Sequence, residues 1–353
     1  MQAERKWFSW LVLALVASAL PVMAQDSAAL ETTVSEPTTQ DLDYRTHRKW
    51  KLSLPAETFS PVGVGFPFEQ SLGQRFAAKI EGTALVIDSD GDGTFDVKVE
   101  GTEGRVTLKG KTPAGRTFSY AVRLVEKGGW HFAAGGAATT KINGVRIQII
   151  DQNNNGSYAD YGVDALVVGR SKAASFLSKA VSVGGTLYEI DVAKNGSKIT
   201  YTPYTGQTGT LKLDVDTKAK VLGAVLKSVD GQYSFEMSRA KAGLSVPAGD
   251  YVAHSGELGI GANRMKFVRG RSKPMTVTAD KPLVVGWGGP VKAEFDYQRQ
   301  GDKVGLSPNA VWYYGTQGEQ YLAFKPLGKS PKFTFTNRKT GREIATAYFP
   351  GTC

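Results

Sequence analysis

Cysteine is nearly missing from this sequence: 353 residues contain one, Cys353. An intramolecular disulfide is therefore impossible, and any fold must rest on a packed core. A lone thiol of this kind suits an intermolecular disulfide or an attachment point. Histidine is also scarce. His47, His131 and His254 stand far apart, with no spacing that suggests a metal site. The zincin motif, the Gly-x-Ser-x-Gly nucleophile elbow, the P-loop and the dinucleotide glycine fingerprint are all absent. Neighbouring acids such as Glu294 and Asp296 would serve a glycosidase only if the fold set two carboxylates at about 5 Å or about 6.5 to 9.5 Å. The sequence therefore predicts a non-catalytic protein.

Long apolar runs are missing as well. The best candidate, Leu11 to Leu20, follows Arg5 and Lys6 and precedes Pro21 and the small-x-small stretch Val22-Met23-Ala24. It is too short for a membrane span and reads as residues 1–24 of a signal peptide cleaved near Ala24. The expected destination is outside the cytoplasm, whether periplasm, cell surface or medium. No transmembrane segment is expected in the mature chain.

Residues 25–43 lack bases. They hold five acids among Ser, Thr and Gln, a composition that predicts a disordered acidic leader. The whole chain is +10; residues 1–24 carry +1 and residues 25–43 carry −5, which leaves about +14 on residues 44–353. A basic exported body suits an anionic surface polymer or polysaccharide. The densest basic run is Arg264, Lys266, Arg269, Arg271 and Lys273, which also suits a solvated edge strand. No specific nucleic-acid binding is expected.

The body also lacks long 3.6-period stripes. It carries short alternating runs between glycines, of which there are 41. Examples are GRVTLKG, FSYAVRLVE, VRIQIID, TLKLDV and KFTFTN. Such runs at regular spacing predict an all-β fold of two or three sandwich-like domains. One short helix is expected near residues 171–181, where Ala174, Leu177, Ser178 and Val181 share a side. The expected divisions are 44–205, 206–285 and an immunoglobulin-like 286–353.

Two loops carry the chemistry. In the first, Asp88, Asp90, Asp92 and Asp96 stand at positions 1, 3, 5 and 9, with Gly93 at 6 and Thr94 at 7. Calcium takes six to eight oxygens, and carboxylates on alternate residues of a curled backbone supply them. Four crowded carboxylates repel one another without a cation. The flanks read as strands, and Val99 stands where an EF-hand places its bidentate Glu. Glu100, another part of the fold or water is left to complete the shell. Affinity on the order of 10⁻⁴ to 10⁻³ M is expected, as in extracellular modules. The second loop starts 63 residues later, with Asp151, Asn153, Asn155, Gly156 and Ser157 in the same positions, then Asp160 and Asp164. Its neutral oxygens predict a weaker site, and each loop also fits an Asx/Gly turn.

The stretches VRIQIIDQNNNGSYADYGVDALVVG, LYEIDVAKNGSKITYTPYTGQTGTLKL, LSVPAGDY, VVGWGGP, VWYYGTQGEQY and SPKFTFTNRKTGRE resemble a group of exported, uncharacterised proteins of planctomycete-type bacteria. That resemblance implies a multi-domain exported β protein with calcium-type loops, and no activity. Residues 208–258 also resemble the prealbumin-like regulatory sandwich appended to carboxypeptidases. The expected function is a calcium-binding β protein with a structural, cell-surface or matrix role. One alternative is a carbohydrate-binding module using Trp312, Tyr313 and Tyr314 with Trp287 and Tyr321. The other is a hydrolase with an unrecognised carboxylate pair.

Overall fold

Alternation becomes a sheet most plainly in the strands Glu103–Lys111 and Thr117–Glu126. They pair antiparallel with Val106 opposite Val122 and Leu108 opposite Tyr120, all four buried. Successive side chains point to opposite faces, so one face enters the core and the other meets water. The computed structural model describes residues 35–111, 115–322 and 332–348. Residues 1–24, expected to be a signal peptide, most of the expected acidic leader and Cys353 lie outside those residues. Among the described residues, no helix is long and apolar enough to cross a membrane.

The architecture is nearly all β, as expected. A first core draws buried residues from Leu42 to Ile199. Four antiparallel sheets surround it. One runs Ser175–Phe176, Ala165–Val168, Val145–Ile150, Gly136–Ile142, Asp43–Thr46; another runs Gly65–Phe66, Phe76–Glu81, Ala84–Ile87, Val97–Val99. Their centre is aromatic: Phe68 lies 4.4 Å from Tyr120 and 5.8 Å from Phe132, ring centre to ring centre. Burying a ring of this size contributes about 2 to 3 kcal/mol.

A second core spans Ala180 to Tyr321. It lies under an eight-stranded sheet and a three-stranded one. In the latter, Thr208–Asp216 pairs parallel with Leu283–Gly288. The division expected at residue 286 thus falls inside a strand, and residues on both sides of it pack on the same core. From Glu36 onward the chain clusters as one unit.

Two expectations are corrected. Residues 171–181 are not a helix. They run as the strand Ser175–Phe176, an extended link and the start of the strand Ala180–Val183. An amphipathic helix needs a wet face, but Ala173 through Ser178 are all buried. Ala174, Leu177 and Val181 enter the first core and Ala180 the second. Ser178 Oγ accepts hydrogen bonds from Ser234 N (3.1 Å) and Ala180 N (3.2 Å). Burial on all sides overrides the helical spacing.

The leader is also ordered earlier than expected. Thr38–Asp41 pairs with Lys198–Pro203 and Asp43–Thr46 with Gly136–Ile142. Between them Leu42 is buried and pins the chain, and Tyr44 packs on the same core. A single well-placed apolar anchor with a free sheet edge outweighs the polar composition of the residues before it.

Candidate metal-binding loops

Both loops close β-hairpins. The first joins Ala84–Ile87 to Val97–Val99, with Ile87 opposite Val97. The second joins Val145–Ile150 to Ala165–Val168, with Ile150 opposite Ala165. Strands, not helices, flank both, as their alternating flanks predict.

The backbones of the two loops trace the same figure. Position 4 is left-handed in each, at Gly91 (φ 72°) and Asn154 (φ 62°), and so is position 6, at Gly93 (φ 94°) and Gly156 (φ 77°). These turns aim successive N–H groups at the first carboxylate. Asp88 Oδ1 accepts from Gly91 N (2.7 Å) and Asp92 N (3.2 Å), and its Oδ2 from Gly93 N (2.9 Å). Asp151 Oδ1 accepts from Asn155 N (3.1 Å) and its Oδ2 from Gly156 N (2.6 Å). Position 5 turns back on position 7 in both: Thr94 N donates to Asp92 Oδ1 and Ser157 N to Asn155 Oδ1, each at 2.7 Å.

Three of the four carboxylates of the first loop converge. Oxygens of Asp88, Asp90 and Asp92 lie within 4.8 Å of one another, Asp88 buried and the other two exposed. Asp96 does not join them. Its two oxygens accept from Ser89 N and Ser89 Oγ, each at 2.7 Å, and these bonds hold its carboxyl below the usual range. Glu100 pairs with Lys98 (2.8 Å) and is not among the converging carboxylates.

The second loop is a buried polar network. Positions 2 and 4 turn inward as tethers. Gln152 Oε1 accepts from Ala56 N (3.3 Å), and its amide donates to Val163 O. Asn154 Oδ1 accepts from Ala134 N, and its amide donates to Thr58 O, each at 3.0 Å. Asp160 draws in the other side chains: its Oδ2 accepts from Asn153 Nδ2 (2.9 Å) and Asn155 Nδ2 (2.6 Å), its Oδ1 from Ser157 Oγ (3.2 Å). Asp160 N donates to Asp164 Oδ2 (3.0 Å). The predicted residues Asp151, Asn153, Asn155, Ser157, Asp160 and Asp164 are thus brought into one network.

That network is unfinished. Asp164 is fully buried, yet its Oδ1 has no hydrogen-bond partner, and neither has the buried Asn153 Oδ1. Burial pushes the Asp164 carboxyl up to about 9, with the Asp151 charge adding to it. Burial likewise lifts Asp151 to about 6, against hydrogen bonds from Tyr120 and the loop backbone. Lone acceptor oxygens in a dry site cost free energy until a proton or a cation meets them. The available ligand atoms are oxygens, the kind a hard cation takes, but the carboxylates of Asp151, Asp160 and Asp164 do not all close to within 4.8 Å of one another as those of the first loop do.

Sequence reasoning missed the groups that hold the loops. The short helix Glu69–Leu72 and the turn after it touch both: Ser71 Oγ donates to Asn155 O (2.6 Å) and Gln74 Nε2 to Asp90 O (2.5 Å). Tyr120 donates to Asp151 Oδ2 (2.7 Å). Nothing in the local spacing marks these residues, which come from elsewhere in the chain.

The remaining candidates disperse. Trp287 and Tyr321 are buried in the second core, where both pack against Phe267. They cannot serve as a surface platform, and Trp312, Tyr313 and Tyr314 are half-buried. In the basic run, Arg264 pairs with Glu257 (3.5 Å), while Arg271 pairs with Glu294 and lies over the Tyr314 ring. Comparison with protein-family models, curated proteins and solved structures finds no match. The class is therefore defined by fold and site alone: a nearly all-β protein with two hairpin loops of one backbone design.

Proposed function

We propose that this chain is an exported, non-catalytic, calcium-binding β protein with a structural or surface role. The observation that carries the reading is the pair of buried, unpartnered acceptor oxygens, Asp164 Oδ1 and Asn153 Oδ1, in a loop built only of oxygen donors. The convergence of Asp88, Asp90 and Asp92 supports the same reading in the first loop. Asp151, Asn153, Asn155, Asp160 and Asp164 would hold one ion, and Asp88, Asp90 and Asp92 the other, with the Thr94 and Ser157 carbonyls as further donors. When bound, the cation supplies positive charge where two buried carboxylates and one exposed cluster concentrate negative charge. The chain's part is to fix the hairpin ends: both loops hang on strands packed in the first core, so a filled site stiffens that core's rim.

Calorimetric titration of the mature protein with calcium tests this. Saturable binding in the range of extracellular modules, on the order of 10⁻⁴ to 10⁻³ M, together with loss of the signal in Asp164→Asn, is the expected outcome. No heat above dilution and an unchanged melting temperature in EDTA would sink the reading.

A further inference from the structure

Two sheets around the first core bring cations to one surface. On the strand Asp43–Thr46, Arg45 stands opposite Ala137; four residues further along that partner strand, Lys141 stands opposite Arg146. Residues two apart on a strand share a face, so Arg45, Lys141 and Arg146 lie on one face of the five-stranded sheet. A second sheet adds to them. On its edge strand, Glu103–Lys111, Arg105 stands directly opposite Arg123. Residues 47–51, which follow Asp43–Thr46, carry Arg48, Lys49 and Lys51. Arg105 is tied to them: its Nη1 donates to His47 O (2.7 Å) and Arg48 O (2.6 Å).

These charges are not balanced within the protein. Arg123 pairs with Glu57 and lies 4.0 Å over the Trp50 ring. Arg45, Arg48, Lys49, Lys51, Arg105 and Arg146 are exposed, and among the described residues none of them makes an ion pair. The exposed acids Asp43 and Glu103 stand two residues from Arg45 and Arg105 and pair with neither. Arg264 and Arg271 of the run at 264–273 are, by contrast, each paired with a Glu. Like charges directly opposite one another destabilise a sheet. This surface places them so twice, at Arg105 and Arg123 and at Lys141 and Arg146. An anionic partner relieves that repulsion, and a guanidinium already held by two carbonyls loses little freedom on meeting an oxyanion. His47 adds no charge near neutral pH: burial first, then the Arg146 and Arg123 charges, hold its pKa below the ordinary range against a bond to Gln148.

We propose that this surface docks an acidic polysaccharide, with uronate carboxylates on Arg48, Arg105 and Arg146 and on the lysines beside them. Sheet spacings put Arg45 and Arg146 roughly 16 Å apart, a span for a chain of charges rather than one small anion. The choice of a glycan over a nucleic acid rests on the surface role proposed above. It also follows from the Trp50 ring, which is covered by Arg123 and is not open for a base to stack on.

The test is calorimetric titration of the full mature protein with polygalacturonate, in EDTA and at about 0.15 M salt, with dextran as the neutral control. EDTA keeps calcium from bridging the loops and the polymer. Failure here therefore leaves the calcium reading standing, and failure of calcium binding leaves this one. Saturable binding of polygalacturonate and none of dextran are expected. Arg48→Gln/Lys49→Gln/Arg146→Gln, three exposed changes, should weaken binding by about tenfold or more. Lys266→Gln/Arg269→Gln/Lys273→Gln removes the same charge from the other basic run and should weaken it by less than about twofold. Equal losses in the two variants overturn the proposal, because net charge alone would then explain the binding. So does the absence of saturable binding, or tighter binding of duplex DNA or of phosphatidylglycerol vesicles than of polygalacturonate. If the first variant fails to fold, Lys49→Gln/Lys51→Gln against Lys266→Gln/Lys273→Gln decides in its place by the same rule.

Discussion

The two loops share a backbone and differ in where their polar groups go. At position 8 the first loop has Phe95, exposed with Lys79 over its ring, and the second has Tyr158, buried near Tyr120. The last aspartate of the first loop folds back on Ser89, while Asp160 of the second gathers three side chains. The carboxylates of the first loop stand mostly in water, whereas Asp151 and Asp164 of the second are buried. One turn chemistry can therefore carry either a screened carboxylate cluster or a dry network in which each unpaired oxygen weighs heavily. Ligand count ranks the first loop higher, while burial makes each unpaired oxygen of the second more costly.

The strongest way to break this comparison is to remove the position 1 carboxylate from each loop. Asp151→Ala strands the buried Tyr120 hydroxyl and the N–H groups of Asn155 and Gly156, a loss of about 3 to 5 kcal/mol. Asp88→Ala leaves N–H groups that water can reach, and about 1 to 2 kcal/mol is expected. Urea unfolding of both variants measures the difference, and equal losses would contradict a dry second loop.

Next in size is cation removal. Calcium at a hundredfold above its Kd stabilises the folded state by about 2.7 kcal/mol per site. EDTA should lower the melting temperature accordingly. Asp164→Asn should abolish more of that shift than Asp92→Asn, because its oxygen is buried without a partner.

The glycines sharpen the contrast further. A Cβ at Gly156 would collide with Ser71 Oγ, whereas a Cβ at Gly93 has nothing within 4 Å. Gly93→Ala carries only the strain of its left-handed backbone, about 1 kcal/mol, and Gly156→Ala adds a steric clash for about 2 kcal/mol or more. Thermal melts of the two variants in EDTA isolate these backbone effects from the cation.

The gentlest test is pH. Burial raises Asp151 to about 6 and Asp164 to about 9, so the folded state holds protons that the unfolded chain has released. That contribution is complete below the ordinary carboxylate range and is lost as pH rises through about 6 and then about 9. The metal-free protein should lose at most about 1.4 kcal/mol per pH unit per group in that window. Calcium should flatten the slope, since a cation takes the place of the proton. The part-buried His47 and His254, whose pKa burial lowers, add stability over the same range, so the comparison is with the double variant Asp151→Asn/Asp164→Asn; a metal-free protein that loses stability no more steeply than that variant would contradict the burial of these two groups.

The strand pattern was legible because alternation is local. Glu103–Lys111, Thr117–Glu126, Val145–Ile150 and Lys332–Thr336 all fall where short β runs stand in the sequence. The loop spacing was legible for the same reason, since Asp88, Asp90 and Asp92 need only a curled backbone to converge. The fate of Asp96 was not: a serine at position 2 competes for it, and only the folded loop shows which partner wins. Residues 171–181 carry helical spacing and became extended because both cores claim them.

Local order in the chain, then, was enough to predetermine a β protein and two oxygen-rich hairpin loops, because strand alternation and Asx-Gly turns act over a few neighbouring residues. Tertiary structure decided what those loops became. Tyr120 and Gln74 reach Asp151 and Asp90 from distant stretches of chain, and burial depends on what packs above a residue.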